Sequence, residues 1–409
     1  MGNVTSGELP STPIPADDWR RGARPEFTSK AGSWGLCPVG CLSLHEADAA
    51  IAVCGVGGDL SAAGVFSPTC ELIHKFYGHG DTVKKSAAGA LKNGEGIDGS
   101  IVFTVALSGD MLVTGGADST LRLWEWQTGN AVGRIDGAHG DLEIMCIALD
   151  GDTLVSAAGQ EVKRWSLRSR ECAGSMRHAG YVRAVAIGAS AVLSAGEDRV
   201  CHAWARDAAD TSAPLLTLEH PGGVWALSVD GDVAATACRC ESSLVAWDTQ
   251  VRSPSAVHSH RAPPPAPPPP PPRPALIGCV AYAVEAQVRL WKLSTGELLV
   301  ALSDPIGNHA DKVTCLALRG GLLASGARDG RLKVWNVADA QSAECLTSMP
   351  SDAIARGERG DAVAVQGVCI TRMGAIVSVA AGRPCRDEHA TCDAAGEHEL
   401  VVWAPMPQV

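Results

Sequence analysis

The sequence is short of aromatic residues other than tryptophan: three tyrosines and four phenylalanines in 409 residues, with all aromatics at 4%. Ordinary aromatic packing cannot build its core, so aliphatic and small side chains must fill it. Charge is sparse at 19%, and basic residues are the minority, 34 Lys and Arg against 45 Asp and Glu, for a formal net charge of −11. Such a mean field repels a nucleic-acid backbone or an anionic membrane face, so the partners expected are proteins or peptides and not nucleic acid. No uncharged apolar run reaches 18 residues, which excludes a spanning helix. No secretory signal peptide is recognised, and the fifteen cysteines include few close pairs. A disulfide framework is therefore not expected, and the thiols read as reduced, small apolar residues of a cytoplasmic protein.

Tryptophan is what the sequence has in excess, eleven residues against seven Tyr and Phe together. Trp124, Trp165, Trp204, Trp247, Trp291, Trp335 and Trp403 each end a short run such as LRLW, VKRW or LKVW, at gaps of 41, 39, 43, 44, 44 and 68 residues. A period near 40 to 45 residues indicates a repeat architecture. His178, Ser194, Asp198 and Trp204 stand at the same offsets as His309, Ser325, Asp329 and Trp335: sixteen, four and six residues. His79, Thr114, Asp118 and Trp124 form a similar set with a long insertion after the histidine. His139, Ser156 and Trp165 have Gln160 or Glu161 where the aspartate would stand, and His220, Thr236 and Trp247 have Glu241.

These units resemble the WD-repeat family, and the resemblance runs from about Cys37 to Trp403. It implies an all-β fold, a single β-propeller of four-stranded blades, in which the indole donates to the hydroxyl, the hydroxyl to the imidazole and the imidazole to the carboxylate. Counting Cys41–Tyr77 as a blade without the polar set, its third strand ended by Phe66, gives eight blades; seven plus an irregular N-terminal extension is the alternative. The last unit stops directly after LVVW, so a segment within Arg20–Lys30 is expected to supply its outer strand, closing the ring through the N- and C-terminal segments. Residues 1–19 read as a disordered tail and 20–409 as the propeller.

The pattern breaks at a polyproline interruption over 262–274, where Pro263–Pro274 cannot donate to a ladder and removes the inner strand expected for the unit of Trp291. It reads as a solvated linker or a translated intron ahead of a docking rod for SH3- or WW-type partners. Insertions at Thr82–Ser100, Met349–Gly360 and Arg383–His398 all join strands on one face, the expected partner face.

Ser194, His178 and Asp198 mimic a hydrolase triad, but a triad is needed once and this set recurs with a tryptophan attached, so no catalytic residues are assigned. Cys385, His389, Cys392 and His398 carry zinc-ligand types in an unusual C-x3-H-x2-C-x5-H spacing; a solvated insertion is the default, with no metal or other cofactor expected. Cys238 and Cys240 read as packing residues. Met1–Ser6 fits M-G-x-x-x-[ST], which would expose Gly2 for myristoylation and give marginal peripheral membrane binding; an ordinary tail is the alternative.

Register places Phe103, Arg183, Trp225 and Thr314 at one equivalent position near the mouth of the ring, with Tyr181 beside them and Glu197 and Arg328 just before the aspartates of their turns. These are the expected partner-binding residues of a non-catalytic scaffold, a monomer within a larger complex. Two rivals are a substrate receptor of a ubiquitin ligase, for which Trp165-Ser166-Leu167-Arg168 keeps Trp and Arg of the W-D-x-[RK] pattern, and a hydrolase or metal enzyme using the inserted loops.

Overall fold

Runs such as Thr153–Ala158 and Ala191–Gly196 are aliphatic, small or hydroxylic throughout and almost wholly buried, as strands covered on both faces must be. Gly109, Gly151, Gly231 and Gly320 follow the first strands of their units with φ of +54°, +57°, +55° and +57°. That left-handed conformation lets a two-residue turn reverse the chain without steric cost.

The structure is a computed structural model and describes residues 14–30, 36–45, 47, 49–57, 62–79, 102–207, 213–241, 284–302, 309–339, 342–349, 364–381 and 399–406. Its strands form seven four-stranded antiparallel sheets, the blades of a propeller. Blade 1 is Leu36–Leu44, Ile51–Gly57, Ala62–Phe66 and Leu72–Tyr77, and blades 2 to 6 begin at Val102, Cys146, Val182, Val224 and Val313. Blade 7 is Ala364–Ile370, Ile376–Ala381 and Glu399–Pro405, completed by Ala23–Lys30 from the other end of the chain. That closing strand pairs Ala23 with Pro405 and Phe27 with Val402, as the truncated last unit predicts.

The count is seven, the alternative, and the leading count of eight is corrected by one residue pairing. Trp291 and Trp247 were assigned to separate units, yet Val284–Lys292 is the third strand of blade 5, with Trp291 beside Ala234 of the second strand. The Trp291 indole donates to Thr236 Oγ1 at 3.0 Å across 55 residues of chain. One blade thus spans what looked like two units. Trp247, Glu241's side chain and the polyproline run lie outside the described residues, in or beside the connection from the second strand to the third.

Seven buried clusters fill the seven interfaces between neighbouring blades. The third-strand aromatic of each blade packs into the cluster shared with the preceding one: Trp124 against blade 1, Trp165 against blade 2, and Phe66 of blade 1 against Val377 and Leu400 of blade 7. The interface of blades 6 and 7 receives an extra residue. A 3-10 helix over Ala16–Arg21 inserts Trp19, fully buried, among Leu332, Leu346 and Trp403, while the Ile14 N–H donates to Met373 O at 2.7 Å. Residues 14–19, assigned from sequence to a disordered tail, are thus part of the fold, because a Trp finds an apolar slot beside the closing strand.

The polar chain that the family resemblance implies is present. In blade 4 the Trp204 indole donates to Ser194 Oγ at 2.8 Å, the hydroxyl reaches His178 Nε2 at 2.7 Å, and His178 Nδ1 donates to Asp198 at 2.8 Å. This proton arrangement gives every buried donor an acceptor. Blade 2 repeats it with His79, Thr114, Asp118 and Trp124, and blade 6 with His309, Ser325, Asp329 and Trp335. Blade 3 closes on Glu161 at 3.1 Å, while Gln160 turns to Ala179 O. In blade 5, His220 Nδ1 meets Leu218 O at 2.9 Å instead, and blade 7 keeps the Trp403 to Ser378 bond.

Three predictions arise. Trp19→Ala removes a fully buried side chain, so the free energy of unfolding in urea should fall by about 3–5 kcal/mol. Trp291→Phe should cost about 1–2 kcal/mol, matching Trp335→Phe, because each deletes the same donor to a buried hydroxyl; an unaffected Trp291→Phe would restore the separate units. Burial is the leading cause that lowers the pKa of His139, His178, His202 and His220, the last to about 4. Because these groups are more basic unfolded, at an ordinary 6.5, the unfolded chain binds more protons as pH falls. The urea midpoint should therefore hold above about pH 6.5 and decline steadily toward about pH 4.

Candidate functional site

The histidine loops and the carboxylate turns lie at one end of the ring, the top, and the first strands of the blades line a central channel of about 410 Å³. The residue two before the partner of each tetrad hydroxyl faces this channel near its top. In blades 2 to 7 these are Phe103, Met145, Arg183, Trp225, Thr314 and Gln366.

The structure gathers only part of the expected set into one contact cluster. Arg183, from blade 4, lies 4.9 Å from the centroid of the Trp225 ring of blade 5 and 5.8 Å from that of Tyr181. Its Nε donates to Glu197 Oε1 at 2.9 Å and its Nη2 to the same oxygen at 2.5 Å. Tyr181 is 56% exposed, and Trp225 and Arg183 are half-buried. On the far side of Trp225, Lys312 of blade 6 sets its ammonium 3.0 Å from the ring centroid, a cation–π contact. Burial is the leading cause that lowers this lysine's pKa to about 8, helped by Arg183 and Arg328 and opposed by Glu197 and Asp311. Arg328 is exposed, and its backbone N–H donates to Lys312 O at 2.9 Å.

Two expected residues stand apart. Phe103 lines the channel in blade 2 with no contact to the Arg183 cluster among the described residues. The Thr314 hydroxyl donates to backbone oxygens of Gly326, at 3.1 Å, and of Val365 in the next blade, so it ties blades together. Lys312 was missed by the sequence reading although its signal was present. It stands three residues after His309, as Tyr181 stands three after His178.

Deeper in the channel, Cys41, Cys146 and Cys315 occupy equivalent first-strand positions. Burial pushes Cys146 and Cys315 up to about 12, whereas hydrogen bonding, above all from Cys54, brings Cys41 down to about 7. The ten cysteines whose side chains are described are all free thiols, and Cys238 packs in the core. One group of three potential metal ligands stands among the described residues: His178, Asp198 and His202, with ligating atoms within 4.8 Å. Both His178 nitrogens are already committed to Ser194 and Asp198, so this is the blade 4 polar chain with His202 beside it. Ser194, the hydroxyl of the apparent triad, is fully buried between the imidazole and the indole. Gly2 and the four residues from Cys385 to His398 lie outside the described residues.

Known proteins give two points of comparison. The family described as WD domain, G-beta repeat, matches residues 92–125 and 302–336, the repeats that end at Trp124 and Trp335. The chain is also 28% identical over 152 residues to zinc finger CCCH domain-containing protein 17 of Oryza sativa subsp. japonica. That match covers 36% of this chain and 34% of the rice protein, about a third of each. With the repeat matched in blades 2 and 6, the polar chain recurring around the ring and seven blades closed through the N-terminal strand, the chain is a WD-repeat β-propeller.

Proposed function

We propose that the chain is a non-catalytic interaction platform that binds peptides or proteins across the top mouth of its channel. One observation carries this reading. Tyr181, Arg183, Trp225 and Lys312, drawn from three blades, form a connected, solvent-reaching cluster. None of them closes a polar chain or belongs to a buried inter-blade cluster. Aromatic and arginine side chains without a structural duty are the composition of binding hot spots, and rigid strands hold them in place. The family fold is consistent with a scaffold role. The sealed position of Ser194 argues against hydrolysis at the repeated Ser, His and Asp sets, since no substrate carbonyl can reach the hydroxyl. We place the protein in the cytoplasm as one copy within a larger complex, in keeping with its free thiols.

The test is affinity capture with quantitative mass spectrometry on the full chain and on a Tyr181→Ala, Arg183→Ala, Trp225→Ala triple variant of matched thermal midpoint. The expected outcome is a set of partners depleted about tenfold or more in the variant, as loss of hot-spot residues dictates. Partners captured equally by both proteins would remove the mouth as the binding site.

A further inference from the structure

Among the described residues, the mouth around Lys312 is rich in hydrogen-bond donors and poor in uncommitted acceptors. The ammonium of Lys312 offers three N–H groups and makes no hydrogen bond to a described residue; its contact is the face of Trp225. The guanidinium of Arg328, exposed beside it, is also unpaired among the described residues. Arg183 spends Nε and Nη2 on Glu197 and keeps Nη1 unused, and the Trp225 indole N–H, a donor only, has no described acceptor. Of the two described carboxylates that act on Lys312, Glu197 is engaged by Arg183 and Asp311 accepts the backbone N–H of Lys312 at 2.7 Å. Like charge compounds this. Arg183 and Arg328 both disfavour the charged form of Lys312, a repulsion that an arriving anion would relieve.

We infer that this mouth is a receptor for an oxyanion side chain of a partner peptide, a phosphorylated hydroxyl residue or a glutamate or aspartate, gripped by Lys312, Arg328 and the unused nitrogen of Arg183 while the adjoining peptide lies on Trp225 and Tyr181. The inference rests on the mouth being the binding surface and adds the chemistry of what enters it. A nucleic acid fits less well. The chain carries a net charge of −11, so its mean field opposes a long polyanion, whereas a single oxyanion on a peptide is governed mainly by the local cations. Fork-shaped guanidinium donors and a compact ammonium are the groups that take such an oxyanion with charge-assisted hydrogen bonds.

The experiment probes the purified full chain with oriented peptide arrays bearing one fixed central residue: phosphoserine, phosphothreonine, phosphotyrosine, glutamate, unmodified serine or lysine. Lys312→Gln and Arg328→Gln remove charge at side chains that make no hydrogen bond to a described residue, so both variants should stay folded, with a single cooperative thermal transition. Trp225→Ala removes the platform. The expected result is retention on a phosphorylated or glutamate array about tenfold above serine and lysine, weakening between about 50 and 300 mM salt. Each glutamine variant should lower that retention about tenfold. Phosphorylated arrays exceeding glutamate would identify a modified residue as the source of the oxyanion, and equal retention an acidic tract. Serine or lysine arrays bound as tightly, sensitive to Trp225→Ala but not to Lys312→Gln, would overturn the anion inference and leave the mouth a peptide site. No array bound at all would overturn both.

Discussion

Most blades of this ring are pinned by one arrangement of hydrogen bonds, the buried indole, hydroxyl, imidazole and carboxylate that join the top of a blade to its third strand, complete with aspartate in blades 2, 4 and 6. Indole can only donate and a carboxylate only accept, so the hydroxyl and a neutral imidazole between them carry the polarity from one end to the other without water. In blade 4 the three links are 2.8, 2.7 and 2.8 Å long. Neutrality of the imidazole is a condition of the arrangement, and burial enforces it at His178. The chain also tolerates loss of its last link. In blade 5 the carbonyl of Leu218 replaces the carboxylate, since either is an acceptor for the same N–H.

Packing and polarity are separable in this fold, and blade 1 shows it. Phe66 has no indole N–H and its blade carries no polar chain, yet it fills the same slot against the neighbouring blade that tryptophan fills elsewhere. The apolar slot is therefore the invariant of the ring, and the polar chain is an addition that fixes top loops to strands. Trp19 obeys the same logic from outside the repeats. It enters the cluster of blades 6 and 7 beside Trp403, where the chain ends must be joined, and the Ala23–Lys30 strand follows directly. Closure thus combines a strand pairing, which covers the outer side of Glu399–Pro405, with an aromatic anchor.

Much of this was legible in the sequence because offsets survive where identities drift. The equal spacing around His178 and His309 located two blades and their hydrogen bonds, and the truncated last unit located the closing strand. The count failed at blade 5 because periodicity measures distance along the chain, whereas the hydroxyl selects whichever indole the fold brings to it. Trp247 stands at the regular spacing, but Trp291 holds the bond. Lys312 escaped because it was judged by residue type rather than by register, although its offset from His309 equals that of Tyr181 from His178. Thr314 differs in the opposite way: it holds the equivalent register position, but its hydroxyl is taken up by backbone oxygens of two blades.

The same principle that stabilises the blades separates scaffold from surface. Inside the blade 4 polar chain the indole, hydroxyl and imidazole donors each meet a buried acceptor, so none of them is offered to a partner. A few side chains away, Lys312, Arg328 and the indole of Trp225 present donors with no described acceptor, held on first strands and loops that the polar chains make rigid. Burial and the two neighbouring arginines act against the charged form of the Lys312 ammonium, and the face of Trp225 offers it no acceptor. Folding alone gives no reason to assemble like charges there. The contrast between bonded polar chains inside the blades and cations without a described acceptor at one mouth is the observation on which the proposed oxyanion receptor rests.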